Sequence, residues 1–158
     1  MRPVAALSAL ALAGALAVGA SAQAPGYAPR TGDRAIDAEL VAINDYGLRE
    51  PQALVDEVVR GFGAPRYLLK ELLETRHWPP GDAYYACALA YQAHRPCSDA
   101  LSALEQRKGR DWVGVAVAFG IKPGSAGFAA LKAQLEASHA HHQAPEPVVP
   151  APEPAKQP

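Results

Sequence analysis

The architecture of this chain follows from one segment, Pro80-Gly81-Asp82-Ala83-Tyr84-Tyr85-Ala86-Cys87-Ala88-Leu89-Ala90-Tyr91. Residues from Ala83 to about Ala93 favour a helix, and Asp82 is expected to be its N-cap. The helix is apolar on nearly every side, so it has no face to turn toward water. A helix of that kind is buried at the centre of its domain. The segment therefore predicts an all-α fold arranged around it.

Six further short helices are expected, three before this segment and three after it. The first begins near Asp33 and ends at Gly47, which we expect in the left-handed conformation. The helix after the central one is expected to have Ser98 as its N-cap. Proline at a first helical position or a capping side chain predicts the other starts, at Pro51, Pro65, Asp111 and Ser125. The result is a compact bundle of about seven short helices over residues 33–140.

The N-terminal residues 1–22 have the three parts of a secretory signal peptide. Arg2 supplies a positive charge, residues 4–18 form a short uncharged apolar run, and Ala20-Ser21-Ala22 supplies the small residues of a cleavage site. The apolar run is shorter than the roughly 20 residues of a membrane-spanning helix, although an uncleaved anchor is the alternative. We therefore expect a periplasmic or secreted protein without a transmembrane anchor after cleavage, in which residues 23–32 form a flexible lead-in.

Two cysteines, Cys87 and Cys97, are present. In an exported protein an even pair is typical of a disulfide, and the alternative is two buried free thiols. The sequence contains no C-x-x-C motif, so thioredoxin-type redox chemistry and c-type haem attachment lack their motif. We expect one structural disulfide.

The charges argue against a nucleic-acid partner. Sixteen Asp and Glu stand against fifteen Lys and Arg, one of them in the signal peptide. Ala116, Gly120 and the Ser-capped helix that follows have the spacing of a helix-turn-helix. However, Lys132 is the one cation of the would-be recognition helix, which leaves no basic cluster for phosphates. Two packed helices with a tight turn explain the pattern better.

The C-terminal residues 141–158 are expected to be a disordered tail. From Ala144 onward, proline alternates with Glu, Val and Ala, a composition that cannot build a core. Just before it, His139, His141 and His142 form a tract with weak metal-binding potential, since imidazole suits Zn, Cu and Ni. Cationic side chains that stabilise a helix C-terminus are the simpler interpretation.

A rigid Pro-Pro-Gly turn carries the best candidate binding surface. Six residues around the turn and along the helix behind it form this candidate: His77, Trp78, Asp82, Tyr84, Tyr85 and His94. A histidine near an aspartate is capable of acid–base catalysis, but no nucleophile stands in a recognisable motif. The aromatic residues are better explained as part of the core or of a lid than as a ligand-binding cage.

Three stretches carry a resemblance to a known group. They are Pro80 to Ala90 with Pro96-Cys97 after it, Trp112-Val113-Gly114-Val115-Ala116, and Gly120-Ile121-Lys122-Pro123-Gly124-Ser125. On these stretches the chain resembles small exported bacterial proteins of unassigned function, and the resemblance covers most of residues 36–132. The resemblance implies a single exported domain and implies no activity, ligand or catalytic residue.

Taken together, these patterns favour a non-enzymatic binding or adaptor protein whose partner is a protein or envelope component, with no cofactor. The alternative is a small envelope hydrolase that uses His77 and Asp82 near Tyr84. A third hypothesis, weak metal handling, requires the three histidines of the tract to converge with a further ligand.

Overall fold

The computed structural model describes residues 26–144, and within them the chain forms seven α-helices and no strand. The helices are α1 Arg34–Arg49, α2 Pro51–Phe62, α3 Arg66–Lys70, α4 Pro80–Gln92, α5 Cys97–Glu105, α6 Trp112–Ala118 and α7 Ala126–Gln143. A π-helical turn, Glu71–Thr75, continues α3 without a break. The expected all-α fold of about seven short helices is confirmed.

Helix α4 is the centre of the bundle. Every residue from Pro80 to Ala90 is buried, and α1, α2, α5 and α7 all pack against this helix. Helix α4 is buried on all sides because its sequence has no polar face. Each neighbouring helix that packs on it removes apolar surface from water, which stabilises the fold.

Two glycines allow α1 and α4 to cross closely. A Cβ on Gly81 would lie 2.8 Å from the carbonyl oxygen of Leu40, and a Cβ on Gly47 would lie 2.5 Å from Cβ of Pro80. At the same crossing, the amide of Gly81 donates a 3.2 Å hydrogen bond to the buried Oδ1 of Asn44. The prediction that Gly47 ends α1 is wrong, because the helix continues to Arg49 and uses this glycine for close packing.

Two predicted N-caps are also wrong. Helix α4 begins at Pro80 with Pro79 as its N-cap, so Asp82 lies inside the first turn. Helix α5 begins at Cys97 with Pro96 as its N-cap, and Ser98 is a helical residue. Proline fixes φ at a value suited to a helix start, so these prolines begin both helices without a capping side chain.

The caps predicted at Asp33 and Ser125 are confirmed, whereas Pro65 is the N-cap of α3 and not its first helical residue. Asp33 accepts hydrogen bonds from the amides of Ala35 and Ile36, at 2.8 and 3.0 Å. Ser125 likewise accepts from the amide of Phe128 at 3.1 Å. These side chains satisfy amides that have no partner within their helix.

The predicted disulfide is confirmed. Cys87, in the middle of α4, is bonded to Cys97 at the start of α5, and their Cα atoms are 4.3 Å apart. Both residues are buried. The bond therefore fixes α5 against the central helix at a point where a single turn joins the two.

The predicted signal peptide and most of the predicted tail lie outside the described residues. Of the lead-in, residues 26–32 are described, and Tyr27 packs against the core. Helix α7 reaches Gln143, so residues 141–143 belong to a helix rather than to the tail. Between residues 26 and 144, none of the helices has the length and apolarity to cross a membrane.

Candidate functional site

Three of the six residues of the predicted binding surface belong to the core. Asp82, Tyr84 and Tyr85 are each almost fully buried on α4. The ring of Tyr85 packs edge-on against that of Trp112, with centroids 5.0 Å apart. Burial raises the pKa of both tyrosines well above the ordinary value, so they remain neutral phenols. Their function is to fill the core.

The other three residues of that surface do not lie together. His77 is exposed before α4, His94 is exposed after it, and Trp78 is half-buried beside His77. Both histidines adopt the left-handed conformation, with φ of 51° and 55°. The structure therefore keeps His77 and Trp78 as neighbours and separates His94 from them by the length of the central helix.

Asp82 is the centre of a buried polar cluster. Its Oδ1 accepts a 2.7 Å hydrogen bond from the hydroxyl of Tyr27 and a 3.1 Å bond from Nε1 of Trp112. Its Oδ2 makes an ion pair with the guanidinium of Arg110. Burial outweighs the opposing charge of Arg110 and raises the pKa of Tyr27, so the phenol remains a hydrogen-bond donor. The cluster ties the N-terminal segment and the start of α6 to α4.

These contacts oppose the hydrolase hypothesis. In residues 26–144, His77 and Asp82 share no hydrogen bond or ion pair, and the oxygens of Asp82 already face Tyr27, Trp112 and Arg110. A general base must reach the proton that it removes, and this carboxylate is 1 % exposed. Asp82 is therefore a structural residue.

The three histidines of the tract diverge. Nδ1 of His139 lies 2.5 Å from a carboxylate oxygen of Glu39 on α1. Nε2 of His142 lies 2.6 Å from a carboxylate oxygen of Glu57 on α2, whereas His141 is exposed. Within residues 26–144, no cluster of three or more His, Cys, Asp or Glu side chains is arranged to hold a metal ion. The tract fastens the end of α7 to two neighbouring helices.

A Ser and a His of α7 meet a Glu of α2, in a contact that no local pattern of the sequence predicts. The hydroxyl of Ser138 donates a 2.6 Å hydrogen bond to Oε1 of Glu57. Glu57 and Ser138 both lie at Nε2 of His142, while its Nδ1 is buried without a partner in the described residues. In a catalytic triad the acid and the nucleophile lie at opposite ring nitrogens. The cluster is therefore a latch rather than a triad.

The protonation of Glu57 depends on this latch. Burial favours the neutral carboxyl, but the hydrogen bonds from His142 and Ser138 outweigh it and lower the pKa of Glu57. The ring of His142 also stacks on that of Tyr46, with centroids 3.7 Å apart. The last turn of α7 is thus held by both polar and aromatic contacts.

The surface feature with the clearest binding potential is a groove of about 300 Å³ beside the Pro-Pro-Gly turn. We call it the Trp78 groove, and its lining is Gly47, Leu48, Pro51, Leu73, Glu74, His77, Trp78 and Pro80. Its walls are mainly apolar, and Glu74 and His77 are its ionisable side chains. Leu48 is 67 % exposed, so most of its aliphatic side chain is in contact with water.

The π-helical turn shapes one wall of this groove. The amide of Trp78 donates a 2.9 Å hydrogen bond to the carbonyl of Leu72, which folds the chain back after His77. The guanidinium carbons of Arg76 and Arg110 lie 5.3 and 5.4 Å from the centroid of the Trp78 ring. Cation–π contacts of this kind restrain an aromatic ring. The indole is therefore restrained by two neighbouring cations.

A larger cavity of about 580 Å³, between α5 and α6, is a weaker candidate. Two of its arginines are paired with acidic side chains: Arg95 lies 2.8 Å from Asp99, and Arg107 lies 3.5 Å from Asp111. The guanidinium of Arg95 also covers the ring of Phe119 at 4.3 Å. Because these cations already have partners, the cavity offers no ready charge to a ligand.

The sequence identified two of the eight residues that line the Trp78 groove. His77 and Trp78 are candidates because they precede a rigid turn, and Leu73 lies on the π-helical turn just before them, but Leu48 reaches the groove from α1. An exposed leucine on a helix is too common to mark a site by itself. Comparisons of the chain with protein-family models, with curated proteins and with solved structures found no match. The geometry of the described residues therefore supplies the evidence on function.

Proposed function

We propose that this protein is an exported binding or adaptor protein that holds an extended, proline-containing apolar segment of a partner protein in the Trp78 groove. The observation that carries the proposal is the groove itself, an apolar channel with an indole restrained by two arginines. Export is proposed from the signal-like residues 1–22.

The chemistry of the groove favours this kind of partner. Leu48, Leu73 and Trp78 offer aliphatic and aromatic surface, which stabilises apolar side chains by removing them from water. Segments with proline are already extended, so they lose little conformational entropy on binding, and aromatic-lined grooves are the usual sites for them. The polar rim residues Glu74 and His77 can hydrogen-bond the backbone of such a segment.

A non-enzymatic role agrees with the remaining geometry. Asp82 is engaged by Tyr27, Trp112 and Arg110, and Glu57 is engaged by Ser138 and His142. The carboxylates of Asp82 and Glu57, which lie near possible catalytic side chains, are thus both occupied by contacts that hold the fold together. What remains on the surface beside the turn is an apolar contact area.

Site-specific photo-cross-linking tests the proposal. We would place p-benzoylphenylalanine at position 48 in the full chain, expose it to envelope extract and map the cross-linked peptide by mass spectrometry. The matched control carries the same group at position 67, because Tyr67 is 74 % exposed on α3 and does not line the groove. The proposal predicts a partner segment with aliphatic residues beside proline, from position 48 only. Identical products from both positions, or none from position 48, would overturn it.

Export has its own test. Mass spectrometry of protein from the envelope fraction should show a chain that begins at Gln23. A chain that retains Met1 in that fraction would show that residues 1–22 act as an uncleaved anchor.

A further inference from the structure

We infer that the Trp78 groove has an occupant within the same chain, the segment Pro147-Val148-Val149-Pro150. The inference rests on the proposed function in one respect, namely that the groove accepts aliphatic residues between prolines. It adds that the C-terminal segment competes with the partner for this groove.

The position of α7 makes the contact accessible. The helix ends at Gln143, and the ring of His142 is stacked on Tyr46 near the end of α1. The next two residues of α1, Gly47 and Leu48, line the groove. The chain therefore leaves the domain beside the helix whose last turn forms one groove wall.

The length of the following segment is sufficient. Val148 and Val149 are five and six residues beyond Gln143. In a polyproline conformation, at about 3.1 Å per residue, they would lie up to about 16–19 Å from it. A domain of this size has a radius of gyration of roughly 14 Å. A reach of that length covers the short step from His142, whose ring stacks on Tyr46, to Leu48 on the groove wall.

The sequence of that segment matches the groove. Val148 and Val149 are its two large aliphatic residues, and Pro147 and Pro150 flank them in a P-x-x-P pattern. P-x-x-P segments bind aromatic-lined apolar grooves. The segment cannot build a core of its own, but it can bury these two valines against Leu48, Leu73 and Trp78.

The consequence is competition. A tethered segment has an effective concentration on the order of 1 mM. If its intrinsic Kd is about 0.1–1 mM, the apparent affinity for a partner falls by about two- to tenfold. The partner must then displace the segment before it binds.

The test uses the full chain with changes confined to residues 145–158, so that folding of the domain is not at risk. The variant Val148→Asp/Val149→Asp removes the apolar pair. The control Ala151→Asp/Ala155→Asp adds the same charge and keeps Pro-Val-Val-Pro. The readout is the indole N–H resonance of Trp78, with that of the buried Trp112 as an internal reference.

We expect the valine variant to shift the Trp78 resonance, the alanine variant to leave it unchanged, and the difference to persist on dilution. The valine variant should also raise partner cross-linking from position 48 by about two- to tenfold, as the competition estimate gives. An unchanged Trp78 resonance, or a shift that disappears on dilution, would overturn the inference. Partner cross-linking that continues in that case would leave the proposed function intact, so the two failures are distinguishable.

Discussion

Trp112 donates a 3.1 Å hydrogen bond from its indole Nε1 to Oδ1 of Asp82, inside the core and across 30 residues of sequence. This bond joins α6 to the central helix. The same carboxylate receives the hydroxyl of Tyr27 and pairs with Arg110, so one buried side chain organises three separate segments. Asp82 is consequently the polar residue on which the fold most depends.

Replacing Asp82 should be strongly destabilising. Asp82→Ala leaves the donors of Tyr27 and Trp112 without an acceptor, and we expect a loss of about 2–4 kcal/mol in the free energy of unfolding. The guanidinium of Arg110 is half-exposed and can be solvated in the variant. The loss of unfolding free energy is therefore smaller than for an ion pair in which both partners are buried. Urea unfolding measures the effect.

The matched control is Asp99→Asn, which removes a surface ion pair with Arg95. It should change stability by less than about 1 kcal/mol. Equal effects of the two substitutions would contradict the central role of Asp82.

Two glycine substitutions should act in opposite directions. Gly81→Ala places a Cβ 2.8 Å from both the carbonyl oxygen of Leu40 and the ring of Tyr27, so we expect a loss of about 1–3 kcal/mol. Gly61→Ala, inside α2, meets nothing within 4 Å and should stabilise the protein by about 0.5–1 kcal/mol. Thermal unfolding of both variants measures the signs, and destabilisation by Gly61→Ala would contradict the prediction.

The disulfide should be structural. Reduction of the bond between Cys87 and Cys97, which are 10 residues apart, should cost about 2–3 kcal/mol in the chain-entropy model. Thiol titration before and after reduction verifies that the disulfide is broken, and the melting temperature measures the loss of stability. The same melting temperature after verified reduction would show that α5 is held by packing alone.

The latch at the end of α7 should make the free energy of unfolding depend on pH in the acid range. Because the folded pKa of Glu57 lies below its ordinary value of 4.5, the unfolded chain binds more protons between the two pKa values. The stabilising contribution of Glu57 is therefore complete above the ordinary pKa and is lost as the pH falls through the folded one.

Glu57→Gln tests this dependence. The difference in unfolding free energy between wild type and variant should be largest near pH 7 and should shrink progressively below pH 4.5, the ordinary value. Glu136→Gln, at an exposed position of α7, should give a curve parallel to that of the wild type. A difference for Glu57→Gln that stays constant from pH 7 to pH 3 would exclude a contribution from the ionised carboxylate.

Local signals predicted local structure well. The apolar character of α4 is a property of the segment itself, so its central position followed from the sequence. The caps at Asp33 and Ser125 were predictable for the same reason, since the side chain bonds amides two or three residues away. Asp82 looked like a cap by the same rule, but its partners Trp112 and Arg110 lie far along the chain.

The parts that could not be predicted depend on contacts between distant residues. Gly47 resembled a helix end, and only the approach of Pro80 shows why a glycine is needed inside α1. The carboxylates facing His139 and His142 come from positions 100 and 85 residues away. The Trp78 groove likewise needs Leu48 from α1, and no spacing in the sequence relates that residue to Trp78.

The ligand proposed for the Trp78 groove is a pair of aliphatic residues between prolines. The most direct measurement is a titration of the full-length Val148→Asp/Val149→Asp chain with a synthetic peptide of residues 145–158, followed by its two indole N–H resonances. Trp78→Phe assigns the two signals. We predict that the Trp78 resonance shifts saturably with peptide while the Trp112 resonance stays in place. No saturable shift of Trp78, or equal shifts of both resonances, would contradict the account.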